Sequence, residues 1–575
     1  MNDSTALARL VVERLIANGV HDVVLSPGSR SAPIALALAA AARSNAVRLH
    51  VRIDERSAAF LALGIAKASG APVVVVCTSG SAVANLAPAI VEATYAGVPL
   101  IAITADRPPE LRNVGANQTI DQVGFFGQQV RSSVDLLAPS HRSRPGATER
   151  KIVDRLVLDA IGSDLDGPAP VQLNIGFREP LVPDATDVRF EAPEPSVAVS
   201  VKDSKRIREP INYIVGDLGL AEVPARGVVV VGDVADPDVS VQAIELAVAC
   251  GWPIISEPSG NALAGPTAVP AASVFLAEDR FRAGHQPALV LTVGRFGLSR
   301  PIVRLVAGAE VHVAVHVGGR DRPDPLRSAV MVLGGVPRPP ETDPLIPLAA
   351  HDAQWLRDWI MASDAAQACL DEVLDAPMLT GLAVTKMCWD GAPADDAVFV
   401  AASRSVRNLE AVMTVRQFAP MVLGNRGTSG IDGLVSTAWG IALARDQQQR
   451  TGRTIAILGD LAFLHDHNGL LAPKSEPRPR LTIVVADNNG GGIFSTLEQG
   501  APEFATDFEQ IFGTPHNQDL AAIAAATGHH TVVVTAVAEL AEELDQPVDG
   551  VKIIIARTAG RLDEQKQWQS VLKVT

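Results

Sequence analysis

The sequence predicts an α/β protein built from three doubly wound parallel-sheet domains. The chain has 575 residues, too many for one core at about 150 residues per domain. Two Pro-rich polar stretches, VPDATDVRFEAPEPS (182–196) and VPRPPETDPLIP (336–347), divide it into blocks 1–182, 197–335 and 348–575. Each block alternates continuous apolar, β-branched runs with Ala/Leu-rich segments, the pattern of parallel strands covered by helices on both faces.

The elements follow in order. Residues 1–20 read as an amphipathic helix and APIALALAAAA (32–42) as a packed one, since that run is too short for a membrane span. VVVVC (73–77) ends in Thr-Ser-Gly; a helix SAVANLAPAIVEATYAG follows, then a strand VPLIAITAD (98–106). The middle block repeats the theme with GVVVVGD (227–233), VSVQAIELAVAC (239–250) and WPIISE (252–257). It lacks a GxGxxG after its first strand, which disfavours a dinucleotide role and leaves a structural layer. In the third block TIAILGD (454–460) leads through LAFLHDHNGLL to LTIVVADNN (481–489).

Composition narrows the function. The chain is 47% hydrophobic and 20% charged, as globular proteins are, and its net charge of −15 disfavours a nucleic-acid partner held by overall charge. Cys77, Cys250, Cys369 and Cys388 show no paired spacing, which argues against a zinc site or a disulfide framework. With no signal-like segment, a cytoplasmic protein without a membrane span is expected.

In doubly wound sheets, ligands bind beyond the carboxyl ends of the strands. Asp106, Asp460 and Asn488 fall there. A helix cap or turn would account for a lone strand-end Asp. Asp460, however, is followed 28 residues on by Asn488-Asn489-Gly490-Gly491-Gly492, one βαβ unit away, so both tips face one crevice. Asp and Asn oxygens with a free Gly carbonyl are hard ligands of the kind Mg²⁺ takes beside phosphates. His465-Asp466-His467 is expected to be helix surface, or to touch the cofactor region through one member. On a helix, residues i and i+2 point about 200° apart and cannot share a metal.

The GD…NN spacing resembles the diphosphate-binding signature of thiamine diphosphate (ThDP) enzymes, although Leu461 stands where that signature has a second Gly. The resemblance implies Mg²⁺ (or Mn²⁺) held by Asp460, Asn488 and the Gly490 carbonyl, with Gly459, Leu461, Ser79 and Ile493 lining the cofactor. It also implies a Glu that hydrogen-bonds the aminopyrimidine and promotes the reactive ylid; this acid must be desolvated. Glu55, in Asp54-Glu55-Arg56 ahead of an apolar helix, is assigned that role, although acids are common at helix N-termini. A homodimer or homotetramer is implied, because in such enzymes the Glu-bearing domain of one subunit faces the diphosphate-bearing domain of another.

Seven strings sharpen the resemblance: SPGSRSAP (26–33), RIDERSA (52–58), TSGSAVANL (78–86), TADRPPEL (104–111), GANQTIDQ (115–122), NRGTSGIDG (425–433) and NNGGGIFS (488–495). Together they resemble the 2-succinyl-5-enolpyruvyl-6-hydroxy-3-cyclohexene-1-carboxylate synthase family of menaquinone biosynthesis. The implied reaction decarboxylates 2-oxoglutarate and adds the succinyl unit to isochorismate. Ser29, Arg30, Arg107, Asn117 and Gln118 would contact the ring substrate or its carboxylates, and Ser403 and Arg407 the succinyl carboxylate. Arg300 and Arg426 would also bind substrate; Arg30, Arg407 and Arg426 together with Glu55 would be catalytic. Ile431 would be an apolar wedge under the cofactor, and Ile493 and Phe494 would wall the site. Two dicarboxylates and a diphosphate call for a basic crevice, and Arg binds carboxylates bidentately; surface pairing with local acids is the plainer role for any one of these arginines. The alternatives are another ThDP-dependent 2-oxoacid decarboxylase or carboligase, such as an acetohydroxyacid synthase, a Mg-nucleotide sensor, and a structural dimer without cofactor.

Overall fold

The structure, a computed structural model, describes residues 2–139, 145–163, 166–183, 190, 193, 208–341, 346–349 and 352–574. Much of the expected linker 182–196, and part of 336–347, lies outside the described residues. Three sheets form, and every strand pair in them is parallel.

The first contains β1 (Asp22–Leu25), β2 (Arg48–Val51), β3 (Val73–Cys77), β4 (Leu100–Asp106), β5 (Ser133–Leu136) and β6 (Val171–Gly176), in the order β2-β1-β3-β4-β6-β5. The second contains β7 (Gly227–Val231), β8 (Ile254–Ser256), β9 (Leu289–Val293), β10 (Val311–Val315) and β11 (Met331–Leu333), ordered β11-β10-β9-β7-β8. The third contains β12 (Ala397–Val400), β13 (Met421–Leu423), β14 (Thr454–Gly459), β15 (Leu481–Asp487), β16 (His530–Val534) and β17 (Val551–Arg557), ordered β13-β12-β14-β15-β17-β16. The third sheet thus repeats the first strand for strand. In both, the chain reverses direction across the sheet between its first and third strands. Crevices open at such switch points beyond the strand carboxyl ends.

The first and third layers meet through two helices, Glu55–Ser69 and Leu434–Gln447. Both are apolar on nearly all sides, as helices buried all round must be: residues 57–66 and 434–445 are buried without a break. They cross at glycines. A Cβ on Gly64 would stand 2.2 Å from the Thr437 carbonyl oxygen, and one on Gly440 2.2 Å from that of Leu61. The core around them joins Phe60 and Leu61 to Trp439 and Phe463.

Two local expectations are corrected. The helix drawn over SAVANLAPAIVEATYAG is two helices, Ser81–Asn85 and Ala87–Ala96, parted at Leu86 with Pro88 near the start of the second; proline fits a first turn and breaks an interior. The segment LAFLHDHNGLL is helical only over Asp460–His465 and continues as a 3₁₀ turn, His467–Leu470. The helix Ala353–Leu374, at the start of the third block, packs against both neighbours: Trp355 Nε1 donates to the Gly227 carbonyl of the middle sheet at 3.1 Å and Trp359 is buried against Phe275, while Leu370 shares the same core with Val571 of the last helix. All four cysteines are free and buried. Among the described residues no helix is long and apolar enough to cross a membrane.

Candidate active site

β14 and β15 are paired with Gly459 opposite Ala486, which sets Asp460 level with Asp487 and one position short of Asn488 at the ends of their strands. Asp460 is buried; its Oδ1 accepts the Leu461 amide at 2.6 Å and its Oδ2 the Gly490 amide at 2.7 Å. Gly490 has φ +137°, and a Cβ there would lie 2.1 Å from the Gly513 carbonyl oxygen, so glycine alone fits. Asn488 Nδ2 donates to Glu564 Oε2 at 2.7 Å, leaving its Oδ1 buried without a partner. An unpaired buried acceptor costs about 1–3 kcal/mol; a cation at these strand tips would satisfy it.

Two residues that sequence reasoning did not assign join this group. Ligand atoms of Asp460, Asp487 and His516 lie within 4.8 Å of one another, with His516 Nε2 3.4 Å from Asp460 and 3.6 Å from Asp487. Burial, reinforced by the Asp487 charge, pushes the Asp460 carboxyl up to about 6 against its two amide donors and His516. A divalent cation would reverse that penalty, and the donor set of carboxylates, an amide oxygen and an imidazole suits Mg²⁺ or Mn²⁺.

The arginines form two groups. At the first sheet, Arg107 follows Asp106 of β4 and donates to Ser79 Oγ, while Ser79 and Gln118 exchange hydrogen bonds of 3.1 and 3.0 Å. Arg30 donates to the Phe177 carbonyl at 2.9 Å, and its Nε is buried and unpartnered. Burial first, then the charge of Arg107, holds the Arg30 guanidinium below its ordinary pKa. Ser29 and Asn117 form an exposed rim. At the third sheet, Ser403 (φ +69°) opens the helix Arg404–Val412, and Arg407 donates to its carbonyl at 2.7 Å. Burial and Arg426 lower the Arg407 pKa. Among the described residues, Arg30, Arg107, Arg407 and Arg426 make no ion pair with a carboxylate.

Beneath Arg407 lie two fully buried acids. Glu257 accepts the Gly297 and Leu298 amides at 2.6 and 2.7 Å, and Glu410 accepts the Ser299 hydroxyl. Burial and Glu257 push the Glu410 carboxyl up to about 8. Arg426 and Glu257 share a cleft of about 400 Å³ with Gly297, Leu298, Gly427 and Thr428. Arg300 stands apart: it is exposed and forms a bidentate pair with Glu498 at 2.6 and 3.2 Å, though its charge still reaches Arg407.

Glu55 is the first residue of its helix, behind the N-cap Asp54, and is half-buried in the single chain; Ile53 beside it is 75% exposed. Its charge reaches β3, where burial first, and then Glu55, raise the Cys77 thiol. Ile431 packs half-buried at the start of the Leu434–Gln447 helix. Ile493 and Phe494 lie in the turn Gly492–Thr496, with Phe494 5.5 Å from Phe512. Gly459 and Leu461 flank Asp460, both half-buried.

Known proteins resemble the chain along almost its whole length. Residues 5–125 match the thiamine pyrophosphate enzyme, N-terminal TPP binding domain, and residues 411–555 the C-terminal TPP binding domain. The chain is 43% identical to 2-succinyl-5-enolpyruvyl-6-hydroxy-3-cyclohexene-1-carboxylate synthase of Thermobifida fusca, covering 97% of this chain and 96% of that protein. Proteins of the same name from Saccharopolyspora erythraea (42%; 93% and 92% covered) and Mycobacterium avium (40%; 96% and 96%) are also similar. The chain belongs to this synthase family. It is an enzyme that uses thiamine diphosphate.

Of the His465-Asp466-His467 triplet, His465 is exposed helix surface, as expected, and Asp466 is not. The helix ends at His465, so helical angles do not apply beyond it. Asp466 is fully buried and accepts the Ser436 amide at 2.8 Å and the Ser57 hydroxyl at 3.4 Å, while Arg56 donates to the His465 carbonyl at 2.7 Å. It joins the starts of the helices after Glu55 and Ile431. Asp487 was legible as the third letter from the end of VVADNN; His516, in TPHNQ, carries no signal of its own. Glu564, which orients Asn488, lies 76 residues away in sequence.

Proposed function

We propose that this enzyme decarboxylates 2-oxoglutarate and adds the resulting succinyl unit to isochorismate, giving 2-succinyl-5-enolpyruvyl-6-hydroxy-3-cyclohexene-1-carboxylate for menaquinone biosynthesis. The observation that carries the reading is the set of four arginines without carboxylate partners at the strand carboxyl ends of a chain whose net charge is −15. Arg30 and Arg407, held by backbone carbonyls, Arg107, held by a hydroxyl, and Arg426 in its cleft would take carboxylates from substrate.

Bound ThDP supplies the nucleophilic carbon and electron sink that 2-oxoacid decarboxylation requires. Asp460, the free Oδ1 of Asn488 and the Gly490 carbonyl would hold Mg²⁺ or Mn²⁺ against its diphosphate, with Asp487 and His516 at hand. Glu55 would hold a proton at the aminopyrimidine ring nitrogen. Arg407 and Ser403 would bind the distal carboxylate of 2-oxoglutarate. Arg30, Arg107, Gln118, Ser29 and Asn117 would orient isochorismate, and Arg426 would take a substrate carboxylate from the neighbouring loop. Ile431 would bear on the cofactor; Ile493 and Phe494 would exclude water. Arg300 would serve only after leaving Glu498. The chain divides for this purpose into 1–182, 197–335 and 348–575, and the site is completed in a homodimer or homotetramer. Exposed Ile53, two residues from Glu55, is apolar surface that a partner chain would cover.

The test mixes the protein with ThDP, Mg²⁺ and 2-oxoglutarate and follows loss of isochorismate absorbance. Loss requiring every component, and nearly abolished in Glu55→Gln and Arg407→Ala, is expected. No loss, with CO₂ released from pyruvate instead, would refute the assignment.

A further inference from the structure

Arg426 sits on the loop 424–433, which also delivers Ile431, and this loop is gripped from outside its own domain. Glu92 lies in the middle of the helix Ala87–Ala96 of the first domain and is 1% exposed. Its Oε1 accepts the Gly427 amide at 2.9 Å; its Oε2 accepts the Thr428 amide at 2.7 Å and the Thr428 hydroxyl at 2.9 Å. Lys67 stands 3.8 Å from Oε1 and donates to the Gly424 carbonyl. From the middle domain, Arg295 donates to the Gly427 carbonyl at 2.7 Å and to the Tyr95 carbonyl at 3.2 Å. A Cβ on Gly427 would stand 2.5 Å from the Glu92 carbonyl oxygen and 2.9 Å from the Ala96 nitrogen, so the loop backbone lies directly against the helix.

We propose that Glu92 is a positioning residue for Arg426: it fixes the two peptide groups flanking Gly427 and so sets where the Arg426 guanidinium meets substrate. The inference rests on the reading of Arg426 as a carboxylate-binding group. A buried carboxylate is costly unless its lone pairs are occupied; three donors from two consecutive residues occupy those of Glu92. With Arg295 holding the opposite edge of the same peptide, the backbone next to Arg426 has little freedom. Misplacing a binding group by about 1 Å costs as much as 100-fold in rate, which is where this restraint acts. An anchor that served only to join domains would have no reason to alter one substrate over another.

The experiment is a double-mutant cycle on the intact enzyme with ThDP and Mg²⁺, measuring KM for both substrates, kcat and ThDP affinity. Glu92→Gln keeps the volume and removes one charged acceptor. It is expected to raise, by about tenfold, the KM of whichever substrate Arg426→Ala affects, with ThDP affinity unchanged within about twofold. In the Arg426→Ala background, Glu92→Gln should add almost nothing, because coupled residues are non-additive. Fully additive effects, or a lowered melting temperature with both KM values unchanged, would overturn the proposal. Arg426→Ala without effect on either substrate would instead remove the reading beneath it, and the proposal with it. Should Glu92→Gln fail to fold, Thr428→Val deletes one of the three hydrogen bonds; a smaller rise in the same KM is expected, and no rise counts against Glu92.

Discussion

Replacing Asp466 by Asn should stabilise this protein, and the gain should grow with pH. Burial pushes the Asp466 carboxyl from an ordinary 3.8 up to about 6, against the opposing effects of the Ser436 amide and hydroxyl and of Arg56. A carboxyl whose folded pKa is raised binds more protons folded than unfolded, so stability falls as pH rises from about 4 to about 6. Two pKa units correspond to about 3 kcal/mol. By linkage, the cost is about 1.5 kcal/mol at pH 5 and about 3 kcal/mol at pH 8. Asn is neutral throughout; its Oδ1 would accept the Ser436 amide and its Nδ2 would donate to Ser57 Oγ. The Arg56 contact, at 4.0 Å, is worth little beside this. Asp466→Asn should therefore exceed the parent in stability by up to about 3 kcal/mol at pH 8 and by roughly half that at pH 5. Asp466→Ala should lose stability at both, since the Ser436 amide and Ser57 hydroxyl are left unpaired at about 1–3 kcal/mol each. Urea titrations at the two pH values, followed by tryptophan fluorescence, measure this directly; Trp439 lies in the helix that Asp466 anchors. An Asn variant less stable than the parent at pH 8, or a margin that does not change with pH, would refute the reasoning.

Two further outcomes are expected. Glu564 accepts hydrogen bonds from Asn488 (2.7 Å), Gly381 (2.8 Å) and Thr558 (2.9 Å), so Glu564→Ala should release the Asn488 amide and weaken Mn²⁺ binding about 10–100-fold, read by electron paramagnetic resonance titration; unchanged affinity would remove Asn488 from the ligand set. Gly64→Ala places a methyl 2.2 Å from the Thr437 carbonyl oxygen and should cost about 1–3 kcal/mol by prying the two central helices apart; a denaturation midpoint equal to the parent's would show that this crossing is looser than described.

The sequence by itself determined what depends on short-range pattern. Continuous apolar runs alternating with helical ones specify parallel strands buried on both faces, because each such strand meets a helix above and below. The same pattern put Asp106, Asp460 and Asn488 at strand ends, and the ordered motifs pointed to the family. Tertiary structure alone decided which charged groups are free. Arg300 follows Ser299 and Arg407 lies four residues after Ser403, yet Glu498 neutralises the first at the surface while the second is half-buried within reach of the Arg426 charge. Asp466 read as helix surface because helical periodicity was extended past the point where the helix stops. Glu92 and its loop are 335 residues apart, and His516 reaches Asp460 only through the turn that follows β15. Periodicity reports which face of an element is buried; it carries no information about which distant residue occupies that face. Those pairings arise when the three sheets pack, and they set the geometry of the site.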